Sequence, residues 1–455
     1  MVEQGTVYLV GAGPGDKELL TVKGLRVLQV ADVVIYDRLV NPYLLTELKE
    51  DVKLIYCGKE PCKHILRQED IQTEMLIHAK KGKTVVRLKG GDPAVFGRVG
   101  EEAAMLKANG VHFEIVPGVT SGIAASMYAG VPITHRDYSG SFAVVTGHRR
   151  KDDGKPDVNW KSLAESVDSI LFYMGVKQIR TITSELVRYG KDKNTPVLVI
   201  QWGTYSRQRS IEGTLSTISK KMDNQKMANP AMILVGDVIK IRDQVNWFEN
   251  HPLSGMGILI RTDDENDWLK RNGADVYIQK NKAMTVTDRE IDLALGAGGD
   301  QALIFQETKD IWLFLQKMGE RGHDIRKLAG ALVAGNKDVQ REFLLLGIQV
   351  PLFSEGIWLT PLFIAGAQDK QPTAEKVAMT RLIEEGHVNA AICRNKRDVD
   401  SICETSLHLF TANKDVESYA RSLGFESVKV VDFNKSETEI VEQMSGLRNK
   451  GAVLS

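Results

Sequence analysis

Short apolar runs rich in β-branched residues recur along the first half of the chain, and each ends at glycine, proline or an ionisable side chain. Residues 84–88, for example, stop at Gly90, Gly91, Asp92 and Pro93. Such runs predict buried strands of a sheet, and the helical spacing of apolar residues between them predicts helices. The pattern therefore predicts an α/β fold. The predicted strands are residues 6–10, 33–36, 52–56, 84–88, 111–116, 169–173, 196–200 and 231–235.

The loops that follow these strands are the first candidates for chemistry. In open α/β sheets ligands bind outside the carboxyl ends of the strands, and glycines there allow close approach of the backbone. Gly90–Asp92 is therefore a candidate ligand loop, although a plain turn is an equally good interpretation. Asp37 and Lys59 also follow strands. A turn cap for Asp37 and a solvated lysine for Lys59 are the alternatives.

The first of these loops contains the glycine-rich sequence Gly11-Ala12-Gly13-Pro14-Gly15. The spacing is one residue short of the dinucleotide fingerprint, and Pro14 lacks the N–H group that a pyrophosphate would need. The sequence thus argues against a dinucleotide site. A tight strand-to-helix turn without a ligand is the simplest alternative.

Charge, glycine and proline mark the predicted domain boundaries. Residues 149–156 mix all three and predict a linker, after which the strand pattern restarts. Residues 1–148 and 149–245 are therefore predicted to form two lobes with a cleft between them. Residues 246–254 break the pattern again and predict a second linker, and residues 255–455 are predicted to form a further domain.

The composition limits which classes of partner the protein is expected to bind. The 455 residues suggest two to four domains, and the 59 basic and 59 acidic residues create no net field for nucleic acid or an anionic membrane. The four cysteines show no C-x-x-C pairing, which is typical of a reducing compartment. No stretch of eighteen apolar residues occurs. A cytoplasmic protein without nucleic-acid or membrane partners is expected.

Eight motifs occur in the same order as in uroporphyrinogen-III C-methyltransferases, and the chain resembles that family over about residues 1–250. The motifs are Gly11–Asp16, Tyr36–Val40, Gly58–Lys59, Arg87–Arg98 with Glu101–Glu102, Val116–Ser121, Gly130–Arg136, Tyr173–Gly175 and Val235–Asp237. The resemblance implies the two-lobed tetrapyrrole methylase fold, a homodimer, and S-adenosyl-L-methionine in the inter-lobe cleft. It implies S-adenosyl-L-homocysteine as the spent cofactor and no metal.

Matched position by position, the resemblance also implies the site residues. The implied cofactor contacts are Pro14, Gly90, Gly91, Asp92, Val95, Thr120, Ser121, Met174, Gly203 and Ala231. Asp37 matches the family's proposed proton acceptor and Lys59 its proposed proton donor. The implied reaction is two successive methylations of uroporphyrinogen III to precorrin-2, on the sirohaem or cobalamin branch. A methylase of a later corrin intermediate and a non-catalytic tetrapyrrole or nucleotide binder are the alternatives.

Arginines are candidates for pairing with the carboxylates of such a substrate. Arg38, Arg98 and Arg136 lie within the matching motifs. A guanidinium can hold a carboxylate through two hydrogen bonds. Structural salt bridges are the alternative for each of the three.

The last two hundred residues contain an internal repeat. Residues 302–305 precede Ala334–Val339, and residues 390–393 precede a similar segment at 411–416. This predicts two similar α/β lobes. Following a methylase, the layout resembles uroporphyrinogen-III synthase.

The repeat departs from the synthase pattern at the turns where the resemblance would place the substrate. A Thr-Ser pair is replaced by Gln306-Glu307 and Arg394-Asn395, and a turn threonine by Asp338 and Asp415. Acidic side chains at these turns would repel a polycarboxylate, so an impaired or inactive synthase is expected. An active divergent synthase and a domain for docking and stability are the alternatives.

Overall fold

The computed structural model describes most of the chain. The described residues are 4–49, 51–58, 67–147, 158–261, 266–279, 288–296, 301–305, 308–328, 331–352, 360–364, 373–400, 402 and 404–445. They form two compact units, one of Met1–Gln279 with Thr373–Ser455 and one of Lys280–Pro372. The predicted linker at residues 149–156 lies outside the described residues.

A five-stranded parallel sheet forms the first lobe. Its strands are β1 (Thr6–Gly11), β2 (Val33–Tyr36), β3 (Lys53–Tyr56), β4 (Val85–Lys89) and β5 (His112–Val116). The order is β3-β2-β4-β1-β5, and all four pairings are parallel. Each of the five predicted strands is confirmed to within one residue at either end.

Helices cover both faces of this sheet. They are α1 (Val22–Val30), α2 (Gln68–Lys80) and α3 (Val99–Ala108), with short 3-10 helices at Lys17–Leu19 and Pro42–Glu47. The next helix, α4 (Ser121–Tyr128), follows β5, and its Ala125 packs with Leu171 and Leu198 instead. Alternate strand residues enter opposite cores: Val34 and Leu88 lie in one, and Ile35 and Val85 in the other. This two-sided burial explains why the strands are continuous apolar runs.

The second lobe has a mixed sheet. Its strands are β6 (Phe142–Thr146), β7 (Ser169–Tyr173), β8 (Pro196–Gln201), β9 (Arg209–Thr214) and β10 (Ala231–Val235). The order is β6-β7-β10-β8-β9, and β10 runs antiparallel to both neighbours. The sequence analysis did not predict β6 and β9. The residues of β9 are mostly polar or exposed, as is common at a sheet edge, whereas β6 is apolar in sequence and was missed. Its helices are α5 (Trp160–Ser166), α6 (Ile179–Arg188), α7 (Ile218–Asn224) and α8 (Arg242–Val245).

Eight strands follow among the described residues after α8. They are β11 (Gly257–Ile260), β12 (Asp275–Ile278), β13 (Gln301–Phe305), β14 (Ala331–Ala334), β15 (Thr360–Ile364), β16 (Ala390–Cys393), β17 (His408–Thr411) and β18 (Val428–Val430). The helices are α9 (Asn266–Arg271), α10 (Asp288–Leu295), α11 (Thr308–Glu320), α12 (Lys337–Leu345), α13 (Ala374–Glu384), α14 (Lys396–Asp400), α15 (Lys414–Ser422) and α16 (Glu437–Ser445).

These strands build two further parallel sheets. One has the order β12-β11-β16-β17-β18 and belongs to the first unit, and the other has the order β14-β13-β15 and belongs to the second unit. The expected repeat is present as β13-α11-β14-α12 and β16-α14-β17-α15. We call residues 251–279 and 373–445, which carry the five-stranded sheet, the C-terminal lobe. Among the described residues, no helix is long and apolar enough to cross a membrane.

Candidate active site

The parallel direction of the first sheet brings its strand exits to one edge. All five carboxyl ends point the same way, so the loops that follow them are neighbours. The candidates along this edge are Pro14, Asp37, Gly90, Gly91, Asp92, Val95, Thr120 and Ser121. Lys59 follows the end of β3 but lies outside the described residues.

Glycines allow three of these exits to pack backbone against backbone. The Gly91 amide donates to Gly13 O at 2.7 Å, and the Gly13 amide donates to Gly91 O at 3.2 Å. A Cβ on Gly118 would lie 2.5 Å from Gly91 O, and one on Gly11 would lie 2.7 Å from the Gly118 nitrogen. No residue but glycine fits at positions 11 and 118 without moving the backbone.

The Asp92 side chain connects the loop after β4 to the loop after β5 by hydrogen bonds. One carboxylate oxygen accepts from the Gly118 amide at 3.0 Å, and the other accepts from the Ala94 amide at 2.7 Å. Both bonds are to backbone donors of candidate cofactor loops. Asp92 therefore fixes the shape of the two loops that follow β4 and β5.

The second sheet presents its candidates at one edge for a different reason. Met174 follows β7 and Gly203 follows β8, whereas Ala231 is the first residue of β10. Because β10 is antiparallel, its start lies beside the end of β8, with Ala231 opposite Gln201. The three residues thus share an edge although they come from opposite ends of strands.

Helix α4 connects the two edges. The Tyr173 hydroxyl lies 2.6 Å from Thr120 Oγ1 and accepts from the Gly122 amide at 2.6 Å. A Cβ on Gly203 would lie 2.4 Å from Ala125 Cβ. Thr120 occupies the N-cap position of α4, but its side chain makes no capping bond and contacts Tyr173 instead.

Strained backbone conformations are concentrated along the same edges. Five residues other than glycine have positive φ there: Phe96 (55°), Arg98 (58°), Met174 (53°), Trp202 (53°) and Thr204 (73°). In the described part of the chain, only Lys226 shares this property elsewhere. Such residues cost on the order of 1–3 kcal/mol each and cluster at ligand sites.

A buried charge network lies beneath the exits of β2 and β4. Arg87 reaches Asp37 Oδ2 at 3.6 Å and Glu102 Oε1 at 3.5 Å, and Lys89 Nζ lies 2.9 Å from both Glu102 oxygens. Glu102 is completely buried, and burial lowers the pKa of Lys89. Two cations balance two carboxylates, which makes this burial tolerable.

Asp37, the residue that follows β2, is the member of this network nearest to the strand exits. Its Oδ1 accepts from the Leu39 amide at 2.9 Å, while Arg87 approaches Oδ2. The side chain is 30% exposed, so the fixed carboxylate remains open to a proton from a neighbouring molecule. Of the three candidate arginines, Arg98 is paired with Glu101 at 2.5 Å, and Arg38 and Arg136 are exposed.

Comparison with known proteins identifies the family. The sequence model of the tetrapyrrole (corrin/porphyrin) methylases matches residues 6–219. A Bacillus subtilis (strain 168) protein named uroporphyrinogen-III C-methyltransferase is 43% identical over 362 residues, covering 77% of this chain and 74% of that protein. A Priestia megaterium protein of the same name is 54% identical over 235 residues, covering 52% and 98%. The chain belongs to the uroporphyrinogen-III C-methyltransferase family.

The two matches have different extents. The Priestia match is 235 residues long and covers 52% of this chain, whereas the Bacillus match of 362 residues covers 77% and is too long to be confined to residues 1–250. A solved uroporphyrin-III C-methyltransferase from Thermus thermophilus, complexed with S-adenyl homocysteine, is 40% identical, covers 52% of this chain and 100% of its own, and superposes with a TM-score of 0.45. The family assignment rests on the sequence relatives.

Membership of this family confirms that the chain is an enzyme and that its first part has the tetrapyrrole methylase fold. Sequence reasoning assigned no role to Tyr173, Arg87, Lys89 or Glu102, although all four lie within the matching motifs. The signal was present in β4, where Arg87 and Lys89 interrupt an otherwise apolar buried strand. Charged residues at such positions require buried partners.

Proposed function

We propose that this enzyme transfers methyl groups from S-adenosyl-L-methionine to uroporphyrinogen III, and that two successive transfers yield precorrin-2. One geometric observation supports the proposal: the strand exits bearing the candidate cofactor residues lie along two sheet edges that meet at α4. The names of relatives that are 43% and 54% identical support the same substrate.

The space beside Gly91 fits a ligand that needs close backbone approach. A Cβ there would lie 3.7 Å from the Ser121 nitrogen and 4.0 Å from Thr120 Cα, so any side chain would occupy the space before α4. S-adenosyl-L-methionine supplies an electrophilic methyl group when bound. The residues proposed to hold it are Pro14, Gly90, Gly91, Asp92, Val95, Thr120, Ser121, Met174, Gly203 and Ala231. Holding two reactants in line contributes much of the rate in such a transfer.

Asp37 is proposed to accept the proton that the substrate loses. A pyrrole carbon gains a methyl group and later releases a proton, and a fixed, partly exposed carboxylate can receive it. Arg87 orients that carboxylate through its contact with Oδ2. Lys59, which follows β3 in the sequence, is proposed as the proton donor.

The role of Asp37 is tested by Asp37→Asn. Loss of general-base catalysis should lower kcat by about 10²–10⁴-fold. The dissociation constant for S-adenosyl-L-homocysteine should stay unchanged. Asp51→Asn is the matched control, since the Asp51 side chain is 82% exposed and distant from the strand exits. An unchanged kcat in Asp37→Asn would remove Asp37 from the mechanism.

The activity itself is tested by anaerobic incubation with uroporphyrinogen III and S-adenosyl-L-methionine, followed by mass analysis. A mass gain of two methyl groups is expected. Absence of any gain, with the cofactor still bound, would favour a methylase of a later corrin intermediate. Absence of both gain and cofactor binding would favour the non-catalytic binder.

We further propose that residues 255–455 form a synthase-like domain with impaired activity, which the linker 246–254 joins to methylase lobes at 1–148 and 149–245. Asp338 and Asp415 lie in the first turns of α12 and α15, after the capping residues Asn336 and Asn413. Helix starts attract anions, and an aspartate there takes the place of a substrate carboxylate. Feeding hydroxymethylbilane to the full chain tests this. Formation of the type III isomer well above the spontaneous background would show an active synthase.

A homodimer formed through the methylase part is also proposed. The edge strand β6 exposes Phe142 by 42% and Val144 by 38%, and a second copy would cover them. Light scattering should give twice the chain mass for the wild type and a shift towards monomer for Phe142→Asp. A cytoplasmic location is proposed because Cys57 and Cys393 are free, buried thiols.

A further inference from the structure

The loop between β8 and β9, residues 202–208, carries the candidate cofactor residue Gly203 in a strained conformation. Trp202 and Thr204, on either side of Gly203, have φ of 53° and 73°. Residues other than glycine keep such angles only where their surroundings fix them. The contacts of this loop therefore decide whether Gly203 stays at the cleft.

The methylase lobes hold the first part of the loop. The Asp16 amide donates to Thr204 Oγ1 at 3.0 Å, and the Thr204 amide donates to Gln208 Oε1 at 2.8 Å. Gly203 packs against Ala125 with no room for a side chain. These contacts tie the loop to the β1 exit and to α4.

The C-terminal lobe holds the rest of the loop through backbone-directed hydrogen bonds. The Ser206 amide donates to Asp275 Oδ2 at 2.9 Å, and Ser206 Oγ donates to Gly273 O at 2.6 Å. The Gly255 amide in turn donates to Ser206 O at 2.8 Å. All three partners of Ser206 lie beyond the methylase residues.

The Arg207 side chain also holds the loop against the C-terminal lobe. Its guanidinium stacks on the Trp202 ring at 3.6 Å, and Nη1 donates to Glu385 O at 2.8 Å. Nη2 lies 3.1 Å from His387 Nε2, and burial lowers the pKa of His387, so the imidazole accepts this bond in its neutral form. A residue 180 positions further along the chain thus fixes the tryptophan that precedes Gly203.

We propose that the C-terminal lobe positions the Gly203 loop for the methyl donor, with Arg207 as the positioning residue. The inference rests on the proposed function, since it assumes that Gly203 lines the cofactor site. Without the anchor, the loop relaxes from its positive φ angles and only a fraction of molecules keeps the binding geometry. The apparent affinity then falls in proportion to that fraction. The lobe thereby gains a role that requires no synthase chemistry.

The test compares full-length variants. Arg207→Ala and His387→Leu each remove one side of the anchor. Arg421→Ala is the matched control in the same lobe: it removes an ion pair with Glu417 on α15 and hydrogen bonds to Glu426 O and Val428 O, none of which involves the loop. A competent fraction of about one tenth would raise the dissociation constant for S-adenosyl-L-homocysteine, and KM for S-adenosyl-L-methionine, about tenfold. At saturating cofactor, kcat should remain at the wild-type value. Arg421→Ala should match the wild type throughout.

Other outcomes separate the inference from the proposed function. Failure of the wild type to bind S-adenosyl-L-homocysteine would refute the proposed function. Wild-type affinity in both Arg207→Ala and His387→Leu would overturn the positioning role alone. Hydrogen exchange gives a readout that needs no cofactor: the Thr204 and Ser206 amides should exchange faster in Arg207→Ala than in Arg421→Ala, and equal rates would also overturn it.

Discussion

The Tyr173 hydroxyl lies 2.6 Å from Thr120 Oγ1, and this contact joins the end of a strand in one lobe to the start of a helix in the other. The same oxygen accepts from the Gly122 amide. One phenol therefore fixes the first turn of α4 against the second sheet. Since Thr120 and Ser121 are proposed cofactor contacts, the geometry of the site depends on a residue that was not predicted to belong to it.

Changing Tyr173 to phenylalanine tests this dependence. The variant leaves the Gly122 amide without its acceptor, which should cost about 1–3 kcal/mol of unfolding free energy. It should also weaken binding of S-adenosyl-L-homocysteine, measured by calorimetry. Tyr189→Phe at the end of α6 is the control, because Tyr189 packs against the core of the second lobe and has no proposed cofactor role. Equal affinities in the two variants would contradict the role of Tyr173.

Substituting two glycines with nearly the same φ distinguishes the effect of backbone strain from the effect of ligand contact. Gly91 has φ of 70° beside α4, and Gly110 has φ of 69° with nothing within 4 Å of an added Cβ. Either change to alanine should destabilise the fold by roughly 1–2 kcal/mol, because alanine disfavours this conformation. Only Gly91→Ala should lose cofactor binding. Cofactor titrations and urea unfolding of both variants give the comparison, and retained binding in Gly91→Ala would exclude contact there.

Two adjacent glutamates contrast a buried network with a surface pair. Glu102→Gln leaves Arg87 and Lys89 facing each other without their shared carboxylate, which should cost about 3–5 kcal/mol of unfolding free energy. Glu101→Gln breaks only the exposed pair with Arg98 and should leave the urea midpoint unchanged. Similar midpoints for the two variants would mean that the buried network does not stabilise the lobe.

Asp275 should make stability depend on pH. Burial, and then the nearby Asp16, raise the pKa of the Asp275 carboxyl from 3.8 to about 7, against the Ser206 amide and Arg207, which lower it. The folded state therefore keeps a proton that the unfolded chain releases, so this contribution to stability is full below pH 3.8 and is lost as pH rises to about 7.

Urea midpoints of the wild type and Asp275→Asn over this pH range give the measurement. The asparagine keeps an acceptor for the Ser206 amide but cannot ionise. The stability of the variant relative to the wild type should therefore increase with pH and level off above about 7. Parallel curves would show that the carboxyl does not titrate there.

Much of the first lobe could be predicted because its signals are local. A strand buried on both faces is mostly apolar, and a loop whose backbone packs directly against another backbone requires glycine. Neighbouring residues alone therefore predict β2, β4 and the turn at Gly90–Asp92. The second lobe was harder. Its edge strands β6 and β9 are partly exposed, and nothing local shows that β10 runs against its neighbours.

The sequence by itself determined the family, the predicted strands of the first lobe and the order of the strand exits, because these depend on residue types within a few positions. Only the tertiary structure decided which exits meet. The antiparallel course of β10 brings Ala231 to the sheet edge where Met174 and Gly203 lie, and α4 brings Thr120 to Tyr173. Because residues 373–445 fold as part of the first unit, His387 lies against Arg207. Such contacts link residues far apart in the chain, and no local pattern encodes the pairing.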